Sequence, residues 1–232
     1  MSASFSQDLL NNTVSAKDQL ESDQYVSFER VESPAKKVLF IGNSITRHEP
    51  NLDIGWENDW GMAATKREND YVHVAVRLLE KKFGKINYCI ANCGAWELQY
   101  YHDEILNEWD MAKKFNADIV VIRLGENIAQ ASAHFEREPI APHYLKMVRF
   151  FADNPRAKVI VTGLFWKQEV IEAAIEQVAK EHNFVFVPLN DLGEHEENMA
   201  IGQFWHEGVA IHPNDEGMRK IAERLADVIS LS

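Results

Sequence analysis

The chain has 232 residues, 46% of them hydrophobic, and its 24 basic residues against 36 acidic ones give a formal charge of −12. That length fits one α/β domain, a class whose single domains reach about 250 residues. The acidic balance argues against nucleic acid and anionic membranes as partners, and no apolar run approaches the roughly 18 residues of a membrane span. The N-terminus lacks the basic start and apolar run of a secretory signal. Cys89 and Cys93 fall on or just after one predicted strand, so the thiols are expected to be reduced rather than paired. These features together predict a soluble cytoplasmic protein.

Residues 1–34 read as a polar N-terminal extension, with a short helix near Gln7–Leu20 and an irregular segment to Pro34. Packed on the domain, it is the candidate for a subunit contact and leaves a homo-oligomer open. Residues 35–232 read as a single domain. Its first strand is predicted over Val38–Ile41 and breaks into the turn Gly42-Asn43-Ser44-Ile45-Thr46. A loop from Arg47 to Ala64 follows, carrying His48, Trp56, Asp59 and Trp60, with Gly55 and Gly61 as pivots. Thr65 to Glu68 has the spacing of a capping box before a helix over Tyr71–Phe83, whose Val72, Val76 and Leu79 share a face. A strand over Ile86–Ala91 leads to Asn92-Cys93-Gly94 and a helical pattern over Glu97–Lys114. Next come a strand over Asp118–Arg123, the tripeptide Gly125-Glu126-Asn127, and a helix over Ile140–Asp153. The strand Lys158–Thr162, helix Lys167–His182 and strand Phe184–Pro188 precede Ile211-His212-Pro213 and a final helix over Asp215–Ser230.

Each strand candidate is a short, nearly continuous apolar run, the mark of parallel strands covered on both faces. Alternation of strands and helices over five strands then predicts an open parallel sheet between helix layers. Ligands of such sheets sit beyond the carboxyl ends of the strands. Ser44, Asn92-Cys93-Gly94 and Gly125-Glu126-Asn127 all fall at that edge.

A serine in a strand-to-helix turn, with a histidine to take its proton, is the basis of nucleophilic ester chemistry. Ser44 and His212 are the candidates, and Gly42 suits the tight turn before the serine. The Gly-x-Ser-x-Gly elbow of α/β-hydrolases is missing, which argues against that superfamily. Glu194, His195, Glu196, His206 and Glu207 form an acidic, histidine-bearing cluster. It lacks the His-Glu-x-x-His spacing of a helical metal site and reads as a polar loop. No metal or cofactor is expected.

These blocks resemble those of the SGNH hydrolases, also called GDSL esterases. Gly42-Asn43-Ser44-Ile45 is similar to the first block, with asparagine where the family usually has aspartate. Asn92-Cys93-Gly94-Ala95-Trp96-Glu97 is similar to the second, with Glu97 in place of its last glycine. Gly125-Glu126-Asn127 resembles the third, and His212 with Pro213 and Gly217 the last. The resemblance covers about Lys37 to Ser232 and implies a three-layer α/β/α sandwich around a flavodoxin-like, parallel, five-stranded sheet. It implies Ser44 as nucleophile and His212 as general acid-base. It further implies an oxyanion hole from the Ser44 N–H, the Glu97 N–H and the Asn127 carboxamide. The family's aspartate three residues before the histidine is Val209 here, so Glu207, Asp191 or a backbone carbonyl must orient the imidazole, or the site works as a Ser-His dyad. Asn43, Trp56, Trp60, Trp96 and Trp205 are the candidate substrate-binding residues, the tryptophans forming an aromatic wall that suits a sugar. The expected partner is a small-molecule or oligosaccharide ester, with short O-acyl groups, acetyl above all, as the leading substrate. A non-catalytic glycan-binding protein and a lipase or thioesterase acting on longer chains are the alternatives.

Overall fold

The computed structural model describes residues 26–29, 35–130 and 133–230. The short helix expected near Gln7–Leu20 lies outside them. Six strands form one sheet: β1 (Val26–Glu29), β2 (Lys37–Gly42), β3 (Asn87–Asn92), β4 (Ile119–Arg123), β5 (Lys158–Thr162) and β6 (Val185–Val187). Their order is β1-β3-β2-β4-β5-β6. β2 to β6 are all parallel, in the flavodoxin-like order, whereas β1 runs antiparallel along β3 from Val26 opposite Ala91 to Glu29 opposite Tyr88.

The sheet therefore has one strand more than the five expected. The segment read as irregular up to Pro34 supplies it. Val26-Ser27-Phe28-Glu29 alternates apolar and polar, and four residues of alternation are too short a signal to stand out. Val26 is fully buried, and the Phe28 ring meets Phe115 edge-on at 5.4 Å.

Alternate residues of the central strands enter two cores, as the period of a strand requires. Val38, Phe40, Val121 and Ile160 face α1 (Tyr71–Phe83) and α8 (Asp215–Ser230). Leu39, Ile41, Val120, Ile122 and Val161 face α5 (Ile140–Phe151) and α6 (Glu169–Glu181). Met218, Ile221, Ala222, Leu225 and Ile229 recur at helical spacing along α8, and all are fully buried.

Two local expectations change. Asp70, not Thr65, caps α1: its carboxylate accepts the His73 N–H at 2.8 Å. Thr65 is drawn away to Asp215 at the start of α8, donating its N–H (2.8 Å) and its hydroxyl (2.6 Å). The helix expected over Glu97–Lys114 is broken into α2 (Gly94–Gln99), a 3-10 stretch over Asp103–Trp109 and α3 (Asp110–Lys114). The break at His102 lets Trp96 and Trp109 both reach the same core, with the Trp109 indole donating to the Asn92 carbonyl at 2.8 Å. Two short helices complete the fold, α4 (Ala133–Arg137) and α7 (Glu207–Ala210). Among the described residues no helix is long and apolar enough to cross a membrane.

Candidate active site

The carboxyl ends of β2, β3 and β4 bring the first three sequence blocks to one edge. Beyond β2 the chain doubles back, with the Thr46 and Arg47 N–H groups both donating to the Asn43 carbonyl at 2.9 and 3.1 Å. This turn presses Thr46 onto Gly42, where an added Cβ would fall 1.7 Å from the Thr46 hydroxyl. The tightness of that approach is the local reason for glycine before the serine. Ser44 is left half-buried at the tip.

His212 arrives from the opposite end of the chain, on the segment between α7 and α8. Asn214 fixes that segment. Its Oδ1 caps α8 by accepting the Glu216 and Gly217 N–H groups, each at 3.0 Å, and its Nδ2 donates to the Met199 carbonyl at 2.8 Å. The His212 Nε2 then lies 2.8 Å from the Ser44 Oγ. The other ring nitrogen, Nδ1, donates to the Gly208 carbonyl at 2.6 Å. The Trp166 indole meets the imidazole edge-on at 5.0 Å and is tied down by an N–H bond to the Ile211 carbonyl. Burial pushes the His212 pKa down to about 4. Arg123 and His48 push the same way, and the Gly208 hydrogen bond opposes them. The ring is thus a neutral acceptor toward the serine at neutral pH.

The Nδ1 partner is thus a backbone carbonyl and not a carboxylate. Glu207, expected as the acid, is exposed on the first turn of α7. Asp191 is held by Arg224 in a paired contact, both bonds at 2.6 Å. Val209 is fully buried against Trp56, Met62, Ala63 and Ala200, so the position of the family aspartate serves packing. Among the described residues no group of three or more histidine, cysteine or acidic side chains is placed to hold a metal.

Beneath Ser44 lies a buried polar network that runs across three strand ends. Arg123, fully buried at the end of β4, sends Nη1 to Glu126 and Nη2 to the Asn43 Oδ1. The Asn43 Nδ2 donates to Glu126 at 2.8 Å and to Glu97 at 3.1 Å. Glu97 accepts the Gly125 N–H and the Asn127 Nδ2, both at 2.5 Å. Asn127 itself is exposed, open to a ligand. Asn43, expected to bind substrate, is 1% exposed, and both ends of its carboxamide are spent in this network. Glu97 enters the site by its carboxylate. The carbonyl of the capping residue Cys93 takes the Trp96 N–H at 2.9 Å.

The tryptophans divide. Trp56 is fully buried, between Trp60 and Phe204 at 6.1 Å each, and Trp96 is 1% exposed, against Tyr144 at 6.0 Å. Both are core and not an aromatic wall. Trp60 is half-buried, its indole bonded to the Ala64 carbonyl. Trp205 is 73% exposed and lies over Gly55, whose left-handed backbone (φ 70°) and missing Cβ make room for the indole. Arg123, Glu126 and Trp166 carry no role that the sequence alone assigns. An arginine closing an all-apolar strand was the available signal, because a buried guanidinium demands a counter-charge.

A serine–imidazole pair at the carboxyl edge of a three-layer α/β/α sandwich defines a hydrolase that acts on ester bonds. Residues 40–220 match the GDSL-like lipase/acylhydrolase family, and the chain belongs to that family. Comparison with curated proteins gives no match. The solved structures similar to it include a protein of Bacteroides uniformis described as a GDSL-like lipase (TM-score 0.56, 12% identity, 85% of this chain and 97% of that one). A lipase/acylhydrolase from Enterococcus faecalis gives a TM-score of 0.53 at 15% identity, over 84% of this chain and 95% of that one. A family two carbohydrate esterase from Clostridium thermocellum gives 0.53 at 18% identity, over 88% of this chain and 66% of that one. At such identities these likenesses speak for the fold.

Proposed function

We propose that the protein is a serine esterase without a carboxylate in its triad, acting on short O-acyl esters, acetyl above all, whose alcohol part is a carbohydrate. The observation that carries the reading is the 2.8 Å contact between Ser44 Oγ and His212 Nε2, with Nδ1 committed to the Gly208 carbonyl. With its proton on Nδ1, the ring presents a lone pair to the hydroxyl and takes its proton as Oγ attacks the acyl carbon. The Ser44 N–H and the exposed Asn127 carboxamide stabilise the oxyanion. The imidazolium then returns the proton to the departing alcohol, and water cleaves the acyl-enzyme by the same steps in reverse.

The carbohydrate has its own support. It is supported by the exposed Trp205 indole, a flat surface of the kind sugars stack on, and by the likeness to a carbohydrate esterase. The exposed apolar side chains Leu52, Ile201 and Ile211 favour a second reading, a lipase or thioesterase taking longer chains. A series of acyl esters from two to twelve carbons separates the two. The proposal expects kcat/KM to peak at acetyl or propionyl, and a steady rise toward octanoyl would assign the longer chains. Ser44→Ala should abolish turnover and fluorophosphonate labelling while leaving the fold intact. Retained labelling would remove Ser44 as the nucleophile.

A further inference from the structure

Two of the places where the chain departs from the blocks it resembles, Asn43 and Glu97, touch each other. Glu97 is 1% exposed and meets donors on every side. Its Oε1 accepts from Gly125 N at 2.5 Å, Asn43 Nδ2 at 3.1 Å and Asn127 N at 3.4 Å, and its Oε2 accepts from Asn127 Nδ2 at 2.5 Å. An ionised carboxylate only accepts, so it tolerates this ring of N–H groups. A carboxamide has nearly the same shape at its two ends, and only its partners decide which end points where. We infer that Glu97 is a positioning residue, whose carboxylate selects the orientation in which Asn127 offers an N–H, rather than its carbonyl, to the reacting oxygen. One Nδ2 hydrogen is spent on Glu97, and the second is left for the oxyanion.

Asn43 completes the device. Its Nδ2 bridges Glu97 and Glu126, and its Oδ1 accepts from Arg123 and, at 3.3 Å, from the Ile45 N–H. An aspartate at position 43 would press a third carboxylate against the other two, with Arg123 as the cation between them. The glutamate in α2 and the asparagine before the serine therefore belong together.

The arrangement has a pH signature. Burial, then the Glu126 carboxylate, pushes the Glu97 pKa up to about 7, against the hydrogen bonds from Gly125, Asn127 and Asn43. The other titratable groups around it are Arg123 at the end of β4, Tyr144 on α5 and Cys93 before α2. Burial raises both the Tyr144 phenol and the Cys93 thiol above their ordinary values, so neither is charged near neutrality. Protonating Glu97 places an O–H donor among the N–H groups from which the carboxylate accepts, and Asn127 loses its fixed orientation. His212, titrating near pH 4, would by itself allow activity far into acid.

The inference rests on the esterase reading, and one set of kinetics separates the two. The kcat of the unmodified protein should fall below about pH 7, and a limb at pH 5 or lower would overturn the inference without any variant. Glu97→Gln should lower kcat about 10- to 100-fold with KM nearly unchanged, and should move the acid limb downward. A limb that stays near 7 in this variant belongs to His212 and overturns the inference. Asn127→Ala should lower kcat as well, and the double variant should be no slower than Asn127→Ala alone. Losses that multiply in the double variant would make Glu97 merely structural. If Asn127→Ala keeps full kcat, the oxyanion assignment itself fails. If Asn127→Ala is slow and Glu97→Gln is not, only the role of Glu97 falls.

Discussion

The imidazole of His212 is oriented by the carbonyl of Gly208, 2.6 Å from its Nδ1 and one helical turn back along the chain. A neutral carbonyl fixes the tautomer as well as an aspartate would. It stabilises the imidazolium of the attack less, because it offers a dipole in place of a full charge. Burial without a counter-ion is also why the ring titrates so low.

Removing either nearby acid should therefore do little. Glu207→Gln and Asp191→Asn are each expected to change kcat/KM by less than tenfold, about 1.4 kcal/mol of barrier. Steady-state hydrolysis of an acetyl ester checks this. A loss of a hundredfold or more in Glu207→Gln would restore it as the third member of the triad.

The low pKa of His212 has a consequence for stability. Above pH 6.5 the ring is neutral folded and unfolded, and its contribution is complete. As pH falls from 6.5 toward 4, the unfolded chain gains a proton that the fold refuses, and stability drops. A shift of that size amounts to about 3 kcal/mol at most. Glu97 pulls the other way: its raised pKa makes the fold more stable as pH falls from 7 toward 4.5. Denaturant unfolding of His212→Gln beside the unmodified protein isolates the first effect. The gap in stability between pH 7 and pH 4 should be smaller in the variant, and an equal gap would contradict the buried neutral ring.

Trp56 and Trp205 should separate cleanly. Trp56→Ala empties a fully buried site and should cost about 3–5 kcal/mol of unfolding free energy. Trp205→Ala should change stability by about 0.5 kcal/mol or less, as an exposed substitution does, and should raise KM for a carbohydrate ester if the indole stacks on the sugar. An unchanged KM would take Trp205 out of the substrate site.

Gly42→Ala should be severe. The new methyl would overlap Thr46, which cannot swing away because its hydroxyl is buried against the Tyr71 hydroxyl at 2.8 Å. The turn that presents Ser44 must shift. The expected outcome is a stability loss of about 1–3 kcal/mol with a far larger loss of activity, read by unfolding and ester hydrolysis side by side. Full activity in this variant would mean that the serine turn has slack that the structure does not show.

The five parallel strands and the place of Ser44, Gly125-Glu126-Asn127 and His212 were legible in the sequence. Apolar runs covered on both faces report themselves residue by residue, and turn residues at strand ends mark the edge where a ligand binds. The edge strand Val26–Glu29 was hidden because four residues carry almost no periodicity until β3 is there to pair with. The sorting of Trp56 and Trp96 into the core, with Trp205 on the surface, needed the tertiary packing, since an indole looks alike in sequence whichever way it points. The same holds for the orientation of His212. A backbone carbonyl belongs to every residue and leaves no signature of type, so only the folded chain could choose Gly208 over Glu207. The network of Arg123, Glu126, Asn43, Glu97 and Asn127 was decided in the same way: its donors meet their acceptors only after the ends of β2, β3 and β4 bring their connecting segments together, because low dielectric makes each buried polar group depend on the others.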